Sequence, residues 1–265
     1  MENSFYSLIR YIEAKTAFKC QSYKEKPLKR RLRVRMRALG VVDFSAYLEH
    51  LKRDPTEIER LLNILTINLS FFFRNPETFA FLQQHQFPEF KKKGESLILW
   101  SAGCANGEEP YSLAISAAES SLLHRVTIYG TDIDQGTVDQ AQRGIYSIPA
   151  FQYTPDRVVQ KYFTRTKAGY RVNDDIRARV HFLHLDLLEE PPFGPCNLIM
   201  CRNVLIYLNR NAQSAVIRNF YQQLKTAGYL IIGKVELLIG IPEVKLFEVI
   251  SRTEHIYRKL NERSA

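Results

Sequence analysis

The stretch LWSAGCANGEEPYSLAI, residues 99–115, runs from an apolar segment through two glycines into a helical pattern. Residues 96–102 read as a strand, so Gly103 and Gly107 fall in a strand-to-helix turn. Glycine there lets backbone approach a ligand closely. The full G-x-G-x-x-G fingerprint is absent, and so is the lysine of a Walker A loop. Glu108 and Glu109 stand where a pyrophosphate would land and would repel a dinucleotide. Acid at that place suits a cationic ligand, such as an ammonium or a sulfonium.

Strand-like runs at 96–102, 126–132, 180–186, 196–201 and 228–234 alternate with helical runs opening at Glu108, Gln135 and Asn211. This alternation predicts a parallel α/β sheet with both faces covered. LFEVI (246–250) and EHIYRKL (254–260) are joined by a short link that cannot make a parallel crossover, so that pair is expected to be antiparallel. Between 148 and 180 the pattern breaks. KYFTR, a turn near Ala168-Gly169 and YRV read as a hairpin, a small β insert on the sheet's edge.

The first third reads helical. Leu28, Leu32, Met36 and Leu39 follow helical spacing, stopped by Gly40. Asp43 caps a run with Phe44, Tyr47, Leu48 and Leu51 on one side. Asp54-Pro55 opens another with Ile58, Leu61, Leu62 and Leu65. KKKGES (91–96) marks a change of texture. The expected organisation is a helical domain over 1–80 and an α/β domain over 81–265, with the β insert at about 150–180.

The net charge of +9 is concentrated: residues 1–93 hold 18 Lys/Arg against 10 Asp/Glu, and the remainder is close to neutral. A basic module on a neutral body points to an anionic partner, either nucleic acid, an acidic protein surface or anionic lipid. Cys20, Cys104, Cys196 and Cys201 show neither CxxC nor zinc spacing, which predicts buried thiols in a reducing compartment. The N-terminus carries charges where a signal peptide needs an apolar core, and no apolar run is long enough to span a membrane. A cytoplasmic protein is expected.

Candidate ligand groups gather at the strand ends. GTDID closes the second strand, where a carboxylate usually takes two ribose hydroxyls; Asp132 is the first candidate, with Asp134 a second or a helix cap. HLDLL puts Asp186 and Leu187 at the same edge, suited to an adenine amino group and ring. CNLIMCRNVLIYLN brings Asn203, Val204 and Tyr207 to the end of the fourth strand; Arg202 there could equally pair with an acid. His181 and His184, three apart on a strand, face opposite sides and make a poor metal pair. No metal site is expected.

Taken together, NLSFFFRNP (68–76), SAGCANGEEPYS, TDID, CRNVLIYL and GKVE (233–236) resemble the CheR family of chemotaxis receptor methyltransferases over essentially the whole chain. The resemblance implies a small helical domain, a Rossmann-like S-adenosylmethionine (SAM)-dependent methyltransferase domain and an inserted antiparallel β-subdomain. It implies methylation of glutamate side chains on the cytoplasmic helices of chemoreceptors, with S-adenosylhomocysteine (SAH) as product. By resemblance the cofactor site includes Asn68, Ser70, Arg74, Gly103, Glu109 (with Glu108 adjacent), Asp132, Asp186, Leu187, Asn203 and Val204. The family usually has Asn-Leu where Asp186-Leu187 stand, and G-H-S-E where Gly233 to Glu236 stand.

Glutamate, with a pKa of about 4.3, is already a nucleophile at neutral pH. In-line positioning and exclusion of water suffice, which accounts for the lack of a Ser/His/Asp or Cys/His set. Arg74 is expected to pair with the carboxylate of the substrate or of the cofactor, and Tyr207 to line the methyl-transfer channel. KPLKRRLRVRMRALG (26–40) is expected to meet acidic receptor helices, although Arg31 and Arg35 lie on one side of a helix and Arg33 and Arg37 roughly opposite. The short loop TRTKAGYRV predicts no tethering to a receptor C-terminal pentapeptide. Two other readings stand beside this one. A SAM-dependent nucleic-acid methyltransferase would suit the basic module, but CRNV stands where an N/D-P-P-Y tetrapeptide would be needed. A non-catalytic SAM-binding scaffold is the other.

Overall fold

The computed structural model describes residues 2–16, 18–66 and 68–260, and the chain forms two compact units. The first comprises Met1–Asn68 with Tyr207–Gln213, the second Leu69–Ile206 with Ser214–Ala265.

The first unit has four helices, α1 (Glu2–Lys15), α2 (Glu25–Ala38), α3 (Phe44–Arg53) and α4 (Thr56–Leu65), the last three on the runs whose apolar stripes were expected. Leu8, Ile12, Leu28, Leu32, Met36, Tyr47, Leu51, Leu61 and Leu65 are buried. Asp43 caps α3 by accepting from the Ala46 N–H at 2.9 Å. Glu57 takes a fully buried place on α4 because Arg35 clamps it through two bonds, at 2.6 and 2.5 Å, and Tyr47 donates to it at 2.9 Å. Burial alone would raise this carboxyl; Arg35 and Tyr47 overcome it and hold the pKa below its usual value. Arg31 is also buried. It donates to the Leu65 carbonyl and lies over the Tyr207 ring at 4.3 Å. Arg31 and Arg35, which share one side of the helix, are therefore taken up by contacts within the unit. The exposed cations of α2 are Lys26, Arg30, Arg33 and Arg37, whose 4-3-4 spacing makes one stripe.

The second unit is built on a seven-stranded sheet. Its strands are β1 (Leu97–Ala102), β2 (Val126–Asp132), β6 (Val180–His184), β7 (Cys196–Cys201), β8 (Leu224–Ile232), β9 (Phe247–Ser251) and β10 (Ile256–Lys259). The order is β6-β2-β1-β7-β8-β10-β9. The first five are parallel, and β10 runs antiparallel to both its neighbours. The crossovers carry α7 (Glu108–Glu119), α8 (Gln135–Arg143) and α11 (Arg210–Gln223). Every residue of β7 is buried, as a central strand covered on both faces requires. Trp100 packs between Phe193 and Phe220 and donates its indole N–H to Thr131 Oγ1 at 2.9 Å.

Ahead of the sheet lie α5 (Pro76–Phe81) and α6 (Phe87–Lys93). The insert is a second sheet, ordered β3-β5-β4, from β3 (Ile145–Tyr146), β4 (Phe163–Thr166) and β5 (Gly169–Val172), with α9 (Asp156–Tyr162) and α10 (Asp174–Arg177) around it. It opens at Ile145, a little before the expected 150.

The units divide at Asn68–Leu69 rather than at 80. The reason is the phenylalanine run. Phe72 is fully buried, stacked on Phe151 at 5.1 Å and edge-on to Tyr146 and Phe163 at 4.7 and 4.9 Å. Burying one such ring is worth roughly 1.5–3 kcal/mol, so the segment goes with the core that takes it. KKKGES is a helix end: Gly94, at φ +73°, terminates α6 behind three lysines that suit the negative end of the helix dipole. All four cysteines are buried and free. No helix among the described residues is long and apolar enough to cross a membrane.

Candidate active site

The strand order reverses at β1, so the carboxyl ends of β1 and β7 flank the crevice where open α/β sheets bind ligands. The turn after β1 is held from β2. Gly103 (φ +79°) and Cys104 both donate to the Thr131 carbonyl, at 2.8 and 2.9 Å. A side chain at Gly103 would strike Val204 Cγ2 at 2.4 Å, so the two turns touch only because this residue is glycine. Ala105 donates to Asp132 Oδ2 at 2.8 Å and the Asp134 N–H to Oδ1 at 3.1 Å. Burial pushes the Asp132 carboxyl up to about 6 against these backbone donors. Asp134 is the cap, accepting from Gly136 at 2.9 Å at the start of α8.

The two acids opening α7 differ. Glu109 accepts from Ser101 Oγ at 2.7 Å and faces Arg202 at 3.3 Å. Burial raises its pKa, with Arg202 opposing. Arg202 has 2% of its side chain exposed and also donates to the Arg74 carbonyl at 2.7 Å and to Asn75 Oδ1 at 2.5 Å. It is thus an internal tie, paired with an acid. Glu108 is buried with one oxygen, Oε2, left without a partner among the described residues. Burial raises its carboxyl to about 7, opposed by its own backbone N–H and by the Ser70 hydroxyl.

Ser112, the last residue of GEEPYS, holds the aromatic segment. Its hydroxyl accepts from the Phe73 N–H at 2.9 Å and donates to the Glu108 carbonyl at 2.6 Å. Around it Phe73 and Asn75 take left-handed conformations, φ +53° and +59°. Each costs of order 1–3 kcal/mol in a non-glycine residue, so the segment keeps this shape only under constraint. Between them Arg74 reaches only the Leu69 carbonyl, at 3.4 Å, and has no carboxylate within ion-pair distance among the described residues.

After β7, Asn203 turns the chain at φ +63°. Glu236, 2% exposed, accepts from the Val204, Leu205 and Gly233 N–H groups at 2.9, 2.7 and 2.5 Å. Neither Glu236 nor Ser112 is picked out by sequence reading. Their only signal is the closing position of GKVE and of GEEPYS. Beyond β6, Leu185 donates to the Asp132 carbonyl at 2.9 Å, which carries Asp186 and the buried Leu187 to the same edge. Asn68 and Tyr207 belong to the first unit. There Asn68 donates to Thr66 Oγ1 at 3.2 Å, and Tyr207 lies under Arg31. His184 bonds the Ile133 carbonyl at 2.8 Å, and no group of His, Cys, Asp and Glu among the described residues could hold a metal.

The second-unit set fits SAM. An unpartnered buried carboxylate oxygen suits an ammonium or sulfonium, and Asp132 keeps acceptor capacity for hydroxyls.

Comparison with known proteins gives the family. The family description "CheR methyltransferase, SAM binding domain" matches residues 68–256, and "CheR methyltransferase, all-alpha domain" matches 3–66. The chain is 35% identical to the chemotaxis protein methyltransferase of Salmonella typhimurium, over 78% of this chain and 74% of that one. It is 31% identical to an uncharacterized 104.1 kDa protein of Rhodobacter capsulatus, covering 90% of this chain but 26% of that length. Among solved structures, the N-methyltransferase NodS from Bradyrhizobium japonicum, in complex with SAH, aligns at TM-score 0.40 and 15% identity, over 69% and 88% of the two chains. The chain belongs to the CheR methyltransferase family.

Proposed function

We propose that the protein transfers a methyl group from SAM to glutamate side chains of chemoreceptor cytoplasmic domains, forming glutamyl methyl esters and SAH. The observation that carries this is the acid set of buried Glu108 and Asp132 with half-buried Glu109 at the carboxyl ends of β1 and β2, inside the segment matched by the SAM-binding description. The Salmonella relative's name supports a chemoreceptor substrate.

When bound, SAM supplies a methyl group on a sulfonium, already a good electrophile. The chain's own task is positioning. Asp132 accepts the ribose hydroxyls, Glu108 and Glu109 supply negative charge for the cationic end, and Asp186 with Leu187 takes the adenine. Ser70 and the Gly103 and Asn203-Val204 turns shape the crevice. Asn68 enters on the family resemblance alone, and Tyr207 on its place in the sequence after the fourth strand. The acceptor carboxylate is ionised at neutral pH, so no general base is required. Arg74, without a carboxylate of its own, is suited to hold one belonging to the cofactor or the substrate.

The α2 stripe of Lys26, Arg30, Arg33 and Arg37 is our candidate for contact with acidic receptor helices in the cytoplasm. The β4–β5 connection is two residues long, which supports action without a receptor C-terminal pentapeptide tether. The test is transfer of labelled methyl from SAM to receptor cytoplasmic fragments. Base-labile label on the receptor is expected, and no transfer to any fragment would overturn the proposal.

A further inference from the structure

Glu236 is a buried acid that the proposed chemistry does not use. Its carboxylate spans two segments: Oε1 accepts from Val204 and Leu205 after β7, and Oε2 accepts from Gly233 at the end of β8. Its own N–H donates to the Gly233 carbonyl at 2.9 Å, closing a tight turn. A side chain at Gly233 would meet Glu236 Oε2 at 2.6 Å and the Asn203 nitrogen at 2.9 Å, so no residue but glycine leaves the clamp room. Downstream of the clamp, Val204 fills the space beside Gly103, with 2.4 Å between Val204 Cγ2 and the place of a Gly103 Cβ. The chain of contacts therefore runs from Glu236 through the Asn203–Leu205 turn to the turn after β1.

We propose that Glu236 is a positioning residue for the cofactor crevice, its carboxylate fixing the left-handed Asn203 turn in the shape that seats Val204 against Gly103. This rests on the reading that the Gly103 and Asn203-Val204 turns line that crevice. A carboxylate is needed because both oxygens must accept. Glutamine has one acceptor oxygen, and its amide would point N–H groups at either Gly233 or the Val204-Leu205 pair. Gly233→Ala attacks the same clamp from the other side.

The test is calorimetric titration of SAH into the full chain as wild type, Glu236→Gln and Gly233→Ala, with SAM kinetics alongside. In Glu236→Gln the dissociation constant for SAH is expected to rise at least tenfold at unchanged stoichiometry. KM for SAM should rise with it, while kcat stays within about threefold. Gly233→Ala should shift in the same direction, and it decides alone if Glu236→Gln does not fold. Affinity within twofold of wild type in the folded variants overturns the inference. So does lost stoichiometry at unchanged affinity, the signature of a merely structural role. Asn203→Gly, which removes the side chain but keeps the left-handed backbone, separates the two readings. Wild-type SAH binding there removes the crevice assignment and the inference with it. Weakened binding there, with Glu236→Gln and Gly233→Ala unaffected, removes the inference alone.

Discussion

Glu108→Gln should make the protein less sensitive to pH and poorer at holding its cofactor. Burial raises the Glu108 carboxyl from 4.5 to about 7, and one of its oxygens has no partner among the described residues. A raised carboxyl binds its proton more tightly in the folded state. Its favourable contribution is complete below pH 4.5 and is lost as pH rises through 7. At about 1.36 kcal/mol per pKa unit the loss is roughly 3 kcal/mol. Glutamine removes the titration, while any constant cost of burying its amide is the same at every pH. The stability of the variant minus that of wild type should thus climb by roughly 3 kcal/mol between pH 4.5 and 8. Asp132, raised to about 6, titrates in both proteins and cancels in the difference. The assay is urea unfolding of the ligand-free chain at a series of pH values. A cation beside Glu108 would return its carboxyl toward 4.5, so SAM binding near pH 7 should release about half a proton. Calorimetry in buffers of different ionisation enthalpy reads that release. A stability difference that stays flat across the interval, with no proton release, would refute the reasoning.

Arg74→Ala should abolish methyl transfer or weaken it at least a hundredfold without lowering the melting temperature, because its guanidinium makes one long bond within the protein; near-normal activity excludes it from the site. Replacing Lys26, Arg30, Arg33 and Arg37 together by Ala should raise KM for receptor fragments and flatten its salt dependence, leaving SAH affinity unchanged. An unaltered receptor KM would remove the stripe as a docking surface. Calorimetry with a receptor C-terminal pentapeptide should show no binding, and micromolar affinity would contradict the short-loop reading.

Much of the fold is legible in one pass along the chain, because the strands β1, β2, β6, β7 and β8 are apolar runs between helical periods. The final antiparallel pair follows from the shortness of its link. The position of β10 between β8 and β9 does not, since order in a sheet is set by partners rather than by local pattern. The unit boundary was hidden for the same reason. Phe72 reads as the end of a helical domain until its contacts with Tyr146, Phe151 and Phe163 are known. In the site, glycines and strand-end acids carry a local signal, so Gly103, Asp132 and the Glu108-Glu109 pair stand out. The resemblance points to Glu109 with Glu108 adjacent; the structure distinguishes the two, because Glu109 is paired with Ser101 and Arg202 while Glu108 keeps an unpartnered oxygen among the described residues. Glu236 gives no local sign of its reach, because its backbone donors lie on two separate segments.

The most direct test is chemical. Purified full-length protein, SAM labelled at the methyl carbon and a panel of chemoreceptor cytoplasmic fragments are incubated together, and the receptor is then treated with mild base. The label should sit on glutamate side chains and leave as methanol, with transfer lost in Arg74→Ala. Label that resists base, or that appears on nucleic acid and on no receptor fragment, would contradict glutamyl ester formation.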